Sequence, residues 1–579
     1  MTDILRERAE RWIAEDPDSK TAQEGRDLLS RGDEEALRSH FGTRLKFGTA
    51  GLRGELGVGP NRMNRALVIR VSSAVGNYVL DQVEAATDQG VVIAYDGRHG
   101  SYEFAMDTIE VLGGLGFRVF AFDNVIPTPR LAHAVKHLRA SAGIMVTASH
   151  NPPQDNGYKV FWGDGAQIVP PHDVGISDYI DKITSIAGIS RVSRKSMRSE
   201  NRLLDVPAAV HAAYAAEVDD LRVYNGPTNL RIVYSAMHGV GTPSVEQVLR
   251  SHGYTDLHIV REQADPDPDF STVSFPNPEE PGAMDLSLEL AREVNADLVL
   301  ANDPDADRLC VAVPSSDGYR LLTGNDVGVL FADELLAHGE YTDPLVVTTI
   351  VSTSLLEKIA AHYGAAYGET LTGFKWIAEK AVAHQANAGD FVVGFEEALG
   401  YSVGHVVRDK DGVSATLIFA DLAARCQEQG ISVTDRLNQI YRRHGLHLTK
   451  QSSMKRPGEA GQAEIAAIMD HLRANPPEQI AGSGVNKMRD LQSGKEINYR
   501  SSTTSQVALP TSNVLGYWLE SGARIMVRPS GTEPKIKFYF EVCEQFQGDE
   551  QVSSVEARAQ TQLKELEDAL MTLLATRGE

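Results

Sequence analysis

Three aspartates spaced by two, Asp303, Asp305 and Asp307, follow the apolar run "ADLVL" in the stretch "ANDPDADRL". In an extended segment, residues at i, i+2 and i+4 face one side, so this spacing predicts three convergent carboxylates. Carboxylates so placed repel one another without a cation, and an all-oxygen donor set selects a hard one, Mg2+ or Ca2+. An EF-hand loop is excluded: its sixth position would be Arg308 rather than glycine, and its twelfth Pro314 rather than glutamate. The competing reading is a solvated, aspartate-rich turn, and the buried strand that delivers the cluster argues against it.

A second reactive candidate is Ser149 in "GIMVTASHNPPQDNGYKVFW", where a serine and a histidine end an apolar run and two prolines follow. Adjacent strand residues point to opposite faces, so His150 is expected to be a poor base for its neighbour. Beside a magnesium site, a serine suits the carriage of a phosphoryl group whose oxygens complete the metal's coordination. The metal would also offset the charge that develops during transfer. Alone, such a serine reads as a turn residue closing a strand. The aspartates give it chemistry, and it is read here as both strand cap and displayed hydroxyl.

Basic and hydroxyl groups converge once, in "RPSGTEPKIK". Arg528, Ser530, Gly531, Thr532 and Lys535 combine a guanidinium fork, two hydroxyls and a pliant backbone, the makings of a phosphate cradle. A solvated hairpin tip is the bland alternative. "VGFEEALGYSVG" ends another apolar run with Glu396 and Glu397, able to accept hydrogen bonds from sugar hydroxyls, although a solvated acidic turn is the default. Arg53 lies in the glycine-rich "FGTAGLRG", and Lys375 beside an aromatic in "LTGFKWI". Neither a P-loop nor a dinucleotide-binding G-x-G-x-x-G is present.

The elements that must position these residues alternate along the chain. "ALVIRVSSAVGNYVLDQV" reads as helix, "GVVIAYDGR" as buried strand, "SYEFAMDTIEVLGGLG" as helix and "FRVFAFD" as strand. The pattern recurs through "LRIVYSAMHGVG", "PLVVTTIVSTSLLEKIAAHYG" and "DFVVGFEEALG", predicting α/β units with sheets covered on both faces. From about residue 445, strand-like segments adjoin one another and a long closing helix follows, which reads as α+β. A chain of 579 residues is too long for one core, and about three to five domains are expected.

Composition bounds the partners. With 56 basic against 79 acidic residues, the net charge of −23 would repel nucleic acid and anionic membrane. No apolar run approaches the roughly 20 residues that span a bilayer, and the charged N-terminus is unlike a secretory signal. Three widely separated cysteines, Cys310, Cys426 and Cys543, predict reduced thiols and a cytoplasmic location.

Four separated motifs, "TASHNPP" with "NGYK", "DPDADR", "GFEEALGY" and "RPSGTEPK", occur in this order over nearly the whole chain after the first 40 residues. In this the chain resembles the α-D-phosphohexomutase superfamily. "FGTRLKFGTAGLRG" and "NDPDADRL" bring it nearest to the phosphoglucomutase/phosphopentomutase-like branch. The resemblance implies three similar α/β domains and a C-terminal α+β domain in a heart-shaped molecule around one cleft. The expected division is a helical lead-in over 1–40, a phosphoserine domain over 41–205 and a metal-loop domain over 206–320. A sugar-recognition domain over 321–444 and a phosphate-binding domain over 445–579 complete it.

The resemblance further implies that Ser149 carries the phosphoryl group and that Asp303, Asp305 and Asp307, with the phosphoserine, bind Mg2+. Arg308 would hold the transferring phosphate, while Arg53 and Lys159 flank the serine. Glu396 and Glu397 would recognise the sugar, Lys375 would contact the substrate from another loop, and Arg528 to Thr532 with Lys535 would hold the non-reacting phosphate. The implied reaction moves a phosphoryl group between O1 and O6 of a hexose phosphate through a bisphosphorylated sugar. A phosphopentomutase acting between O1 and O5 of ribose or deoxyribose, and a magnesium-dependent sugar phosphatase, are the alternatives. The expected partner is a small-molecule sugar phosphate, and the expected assembly a monomer or homodimer. Ala398 stands where many hexose members carry a serine, which raises the pentose alternative. Asn302 replaces a common glycine, a change expected to matter less.

Overall fold

The computed structural model describes residues 2–47, 51–456, 458–530 and 535–575. They form two compact units, Met1–Gly324 with Ala398–Glu428, and Asn325–Glu397 with Gln429–Glu579.

The first unit opens with helices Thr2–Glu15, Ser19–Arg31 and Glu34–Phe41. Asp18 and Asp33 cap the second and third by accepting backbone N–H groups, as short acidic side chains do before a helix. Trp12, Ile13, Leu28, Leu37 and Phe41 from these helices join the core cluster beneath the first sheet. That sheet runs in the order Leu52–Glu55, Asp155–Trp162, Ala142–Val146, Val91–Tyr95, Val119–Ala121, Leu203–Asp205. Its last four strands are parallel and its first two antiparallel, so the sheet is mixed. Val91–Tyr95 and Ala142–Val146 are buried at every position, which explains their unbroken apolar sequences.

A second sheet holds Ile232–Ser235 between the parallel strands Leu257–Ile259 and Leu298–Ala301, with Cys310–Ser315 and Gly318–Leu321 added antiparallel. Ser149 follows the carboxyl end of one central strand, Ala142–Val146, and Asp303 that of another, Leu298–Ala301. Open α/β sheets bind their ligands at such ends.

In the second unit, Leu345–Thr349 pairs in parallel with Ala366–Thr370 and Phe391–Glu396, alternating with helices Leu355–Tyr363 and Phe374–Gln385. The C-terminal sheet is antiparallel and includes Leu446–Lys455, Lys535–Glu544, Arg524–Pro529, Leu515–Leu519 and Ser483–Asp490 in that order. Ile350, Val351 and Leu371 share one apolar cluster with Leu491, Val514, Met526 and Tyr539, which joins the two domains of this unit. The architecture is the expected one: three α/β domains and a C-terminal domain built on an antiparallel sheet.

Candidate active site

The strand Ala142–Val146 stops three residues short of Ser149, so the serine does not cap it, contrary to the sequence reading. Ser149 instead sits in a tight turn with φ 53°, the left-handed region, a conformation costing about 1–2 kcal/mol for a residue with a Cβ. Such strain persists only where the surroundings impose it. Thr147 Oγ1 accepts the Ser149 N–H at 2.8 Å. The buried Arg98 guanidinium donates to four carbonyls of this loop: Ser149 O at 2.6 Å, Asn151 O at 2.5 Å, Pro152 O at 2.8 Å and Asp155 O at 3.2 Å. Arg98 is a clamp, and sequence reasoning missed it.

The left-handed turn also removes the geometric reason for expecting His150 to be a poor base. Strand alternation does not apply beyond the strand end, and His150 Nδ1 lies 3.2 Å from Ser149 Oγ. Burial, followed by the charges of Arg308 and Arg53, holds the imidazole well below its ordinary pKa. Ser149 Oγ donates to Asp303 Oδ2 at 2.8 Å. Two acceptors therefore lie within reach of the serine proton.

The three aspartates converge, but not through an extended segment. Residues 303–307 form a turn with Ala306 at φ 52°, and Ala306 N donates to Asp303 O at 2.8 Å. One oxygen from each carboxylate lies within 4.8 Å of the others, in full burial. Close backbone approach holds the turn in place. A Cβ on Gly239 would fall 2.4 Å from Pro304, and one on Gly412 2.3 Å from Arg308 O. Asn302 matters more than the sequence reading allowed: it accepts from Tyr234 Oη at 2.8 Å and donates to Arg308 O at 2.6 Å and Gly412 O at 3.3 Å. It thus ties the start of the turn to its end.

Charge balance at the cluster comes from the flanking elements. Lys159, buried in the strand Asp155–Trp162, donates to Asp305 Oδ2 at 2.7 Å and Asp307 Oδ2 at 3.1 Å. Thr128 Oγ1 donates to Asp305 Oδ2 at 2.6 Å, and Lys410 Nζ lies 3.2 Å from Asp307 Oδ2. Neither Thr128 nor Lys410 stood out in the sequence. Burial pushes the Asp303 carboxyl well above its usual range, with Asp307 and Asp305 adding to the effect. Burial also opposes ionisation of Asp305, but the charge and hydrogen bond of Lys159 more than offset it. For Asp307, burial and Asp305 push upward, and Lys159, Lys410 and Arg308 bring it below its usual value.

Asp305 Oδ1 and Asp307 Oδ1 are buried and accept no hydrogen bond among the described residues. Orphaned carboxylate oxygens converging in a water-poor site fit a hard divalent cation, and this donor set can hold one.

Arg53 does not lie on a loop, as the glycine-rich sequence led one to expect. It belongs to the strand Leu52–Glu55, opposite Gly157, and its Nη1 donates to Asn151 Oδ1 at 3.5 Å. Arg308 donates from Nη1 to Ala398 O at 2.7 Å, while its Nε lies 4.0 Å from Asp303 and 3.9 Å from Asp307.

The remaining candidates belong to the second unit. Glu396 Oε1 accepts from Gly373 N at 2.7 Å, and Glu397 Oε2 from Ser352 Oγ at 2.8 Å. The glutamate pair is therefore anchored rather than a solvated turn. Lys375 lies in the first turn of the helix Phe374–Gln385 rather than in a loop, buried with Nζ 5.5 Å from the Trp376 ring. Arg528 is the penultimate residue of the strand Arg524–Pro529 and hydrogen-bonds the Tyr539 hydroxyl. Burial raises the Tyr539 pKa, Glu397 and Glu396 add to the rise, and Arg528 opposes it. Tyr539, which the sequence reading passed over, thus feels the charges of Glu396, Glu397 and Arg528 together. Ser530 N donates to Lys535 O at 2.8 Å, and Gly531 and Thr532 lie outside the described residues.

Models of four domains match the chain in order: phosphoglucomutase/phosphomannomutase alpha/beta/alpha domain I over residues 44–187, domain II over 212–317, domain III over 323–444 and the C-terminal domain over 464–558. The chain belongs to the phosphoglucomutase/phosphomannomutase family. Members of this family are phosphomutases, enzymes of the isomerase class, and so is this protein. It is similar to the phosphopentomutase of Homo sapiens, 36% identical over 92% of this chain and 90% of that one. It is also similar to the phosphoglucomutase of Staphylococcus epidermidis, 34% identical over 90% and 95%. Among solved structures, the parafusin phosphoglucomutase of Paramecium aligns with a TM-score of 0.66 over 91% of this chain and 96% of that one. At 18% identity, that likeness is one of fold.

Proposed function

We propose that this phosphomutase moves a phosphoryl group between O1 and O6 of a hexose phosphate, with Ser149 as the carrier. The observation that carries the reading is Ser149 Oγ, 2.8 Å from Asp303 Oδ2 at the edge of a buried, all-carboxylate cluster. Asp303, Asp305 and Asp307 would hold Mg2+, together with an oxygen of the phosphorylated serine. When bound, such a cation neutralises charge that builds on the phosphoryl oxygens.

In the first half-reaction a sugar hydroxyl attacks the phosphorus on Ser149. The P–Oγ bond breaks, a P–O bond to the sugar forms, and the hydroxyl proton passes to a base. The product is a bisphosphorylated sugar. After the sugar reorients, Ser149 Oγ, reprotonated on its release, attacks the other phosphate. The P–O bond from that phosphate to the sugar breaks, the freed sugar oxygen takes up a proton, and Asp303 Oδ2 and His150 Nδ1 are the groups within reach of the serine proton. Arg53 and Arg308 bring positive charge to the transferring group. Lys159 fixes two of the carboxylates and leaves their Oδ1 atoms for the cation. Arg98 and Asn302 act by position, holding the serine turn and the aspartate turn.

In the second unit, Glu396, Glu397 and Lys375 would recognise sugar hydroxyls, and Arg528, Ser530, Gly531, Thr532 and Lys535 the non-reacting phosphate. This assigns carriage of the phosphoryl group to residues 41–205, the cation to 206–320, the sugar to 321–444 and the distal phosphate to 445–579. We place the enzyme in the cytoplasm, in keeping with three free thiols. A monomer or homodimer, binding small sugar phosphates and neither nucleic acid nor membrane, completes the reading.

A second substrate class, ribose or deoxyribose phosphates, is favoured by Ala398 and by the name of the human relative. A coupled assay across glucose, mannose and ribose 1-phosphates tests both. Turnover of glucose or mannose 1-phosphate at the highest kcat/KM supports the hexose reading. A preference for ribose 1-phosphate of about a hundredfold, roughly 3 kcal/mol, replaces it with the pentose reading.

A further inference from the structure

The C-terminal sheet carries a cluster of reactive side chains that the proposed mutase chemistry does not use. Strands Leu446–Lys455 and Lys535–Glu544 are antiparallel neighbours, and their register sets His447 directly opposite Cys543. Strand alternation puts Glu541 on the same face as Cys543. Three nitrogens converge on the Cys543 sulfur. His447 Nε2 lies 3.3 Å away, Lys358 Nζ donates at 3.3 Å, and Gln545 Nε2 donates at 3.6 Å. The far nitrogen of the imidazole is also held, with Nδ1 3.2 Å from Glu541 Oε1.

Glu541 is fixed in turn. It accepts from Arg524 Nε at 2.5 Å, Thr353 Oγ1 at 2.6 Å and Ser354 N at 2.9 Å. A carboxylate that orients an imidazole, which faces a sulfur, is the arrangement that activates nucleophiles. Lys358, from the helix Leu355–Tyr363, adds a second cation and is itself anchored to His444 O at 3.0 Å.

We propose that Cys543, His447 and Lys358 form a thiol-modification site at which the Cys543 sulfur attacks small-molecule disulfides. The Cys543 thiolate forms a new S–S bond with one sulfur of the disulfide R–S–S–R, and the original S–S bond breaks. R–S⁻ leaves and takes a proton from water, while the proton first held by the Cys543 thiol stays on the His447 imidazole. The products are a mixed disulfide on the protein and one free thiol, so electrons balance without another oxidant.

The chain supplies its own controls. Cys310 and Cys426 are buried, whereas Cys543 is partly exposed. Burial pushes the Cys310 thiol up to about 12. Burial also raises the Cys543 thiol, but the hydrogen bond and charge of His447, followed by Lys358, bring it below its ordinary value. The imidazole moves the opposite way: burial lowers it, and its bonds to Cys543 and Glu541 carry it above its ordinary value. Other charged groups near the cluster are Arg524 beside Glu541, His444 and Asp333 beyond Lys358, and Glu544, which pairs with Arg558.

The test treats the full-length protein with oxidised glutathione over pH 5.5 to 9.5, with rates read by intact mass and the site by peptide mapping. Expected is one glutathione adduct, on Cys543, formed at least about tenfold faster than at Cys310 or Cys426. Its pH midpoint should lie below the free-thiol value of roughly 8.5. Cys543→Ser should remove the adduct, and His447→Gln should slow it and raise its midpoint. A midpoint at or above the free-thiol value in the wild-type protein would overturn the proposal, whether or not His447→Gln folds. So would preferential modification of Cys310 or Cys426.

Discussion

Ser149 and the aspartate triad are almost wholly buried, and the turns that carry them are tied down group by group by Arg98, Thr147, Asn302 and Thr128. Glu396, Glu397 and Arg528, in the other unit, are half-buried and held mainly by contacts with neighbouring loops and with Tyr539. The difference fits the roles proposed for each set. Groups that meet developing charge work best when fixed in advance and shielded from water. Groups that grip a sugar or a distal phosphate can tolerate adjustment. The comparison predicts that substitutions in the buried set act on the chemical step and those in the half-buried set mainly on binding.

The largest effect is expected at the serine. Ser149→Ala should reduce kcat by at least about a thousandfold, roughly 4 kcal/mol of transition-state stabilisation, with the fold intact by circular dichroism. Retention of more than a few per cent of activity would break the comparison at its centre.

Asp305→Asn comes next. It removes one unit of charge from the cluster and a partner of Lys159, so Mg2+ affinity by titration should fall about tenfold or more. Exhaustive chelation of the wild-type enzyme should abolish turnover, and added Mg2+ should restore it. Full activity after chelation would remove the cation from the account.

Arg528→Lys probes the other set. A guanidinium fork and an ammonium are not equivalent at a bidentate phosphate site, and KM should rise about tenfold, or 1.4 kcal/mol, with a smaller change in kcat. A large fall in kcat at constant KM would place Arg528 among the groups that meet developing charge.

Ala398→Ser should have the smallest effect. One added hydroxyl contact is worth about 0.5–1.5 kcal/mol, roughly a factor of two to twelve in the ratio of kcat/KM for hexose against pentose substrates. An unchanged ratio would mean that the residue 398 side chain does not face the sugar.

Much of this was legible in the chain itself. The aspartates, the serine and the anchored glutamates each follow an unbroken apolar run, and such runs become strands whose carboxyl ends bind ligands. What could not be read were the contacts between segments distant in sequence. Arg98 follows the buried strand Val91–Tyr95 but clamps a loop some fifty residues on. Thr128 meets Asp305, and Lys410 meets Asp307, only because the fold brings them together. Arg53 read as loop because glycines surround it, yet pairing with the strand Asp155–Trp162 makes it strand. The orientation expected for His150 failed for a local reason: alternation was extended past the strand end into a left-handed turn. Asn302 was undervalued because its partners, Tyr234 and Gly412, come from opposite directions along the chain.

The central claim is that Ser149 alone carries the phosphoryl group. It is tested most directly by incubating the enzyme with glucose 1,6-bisphosphate and Mg2+, then measuring intact mass and mapping the modified peptide. Expected is a single added phosphate on Ser149, discharged on addition of a sugar monophosphate and absent from Ser149→Ala. Turnover without phosphate on Ser149, or a phosphate mapped to another residue and discharged at the rate of catalysis, would contradict it.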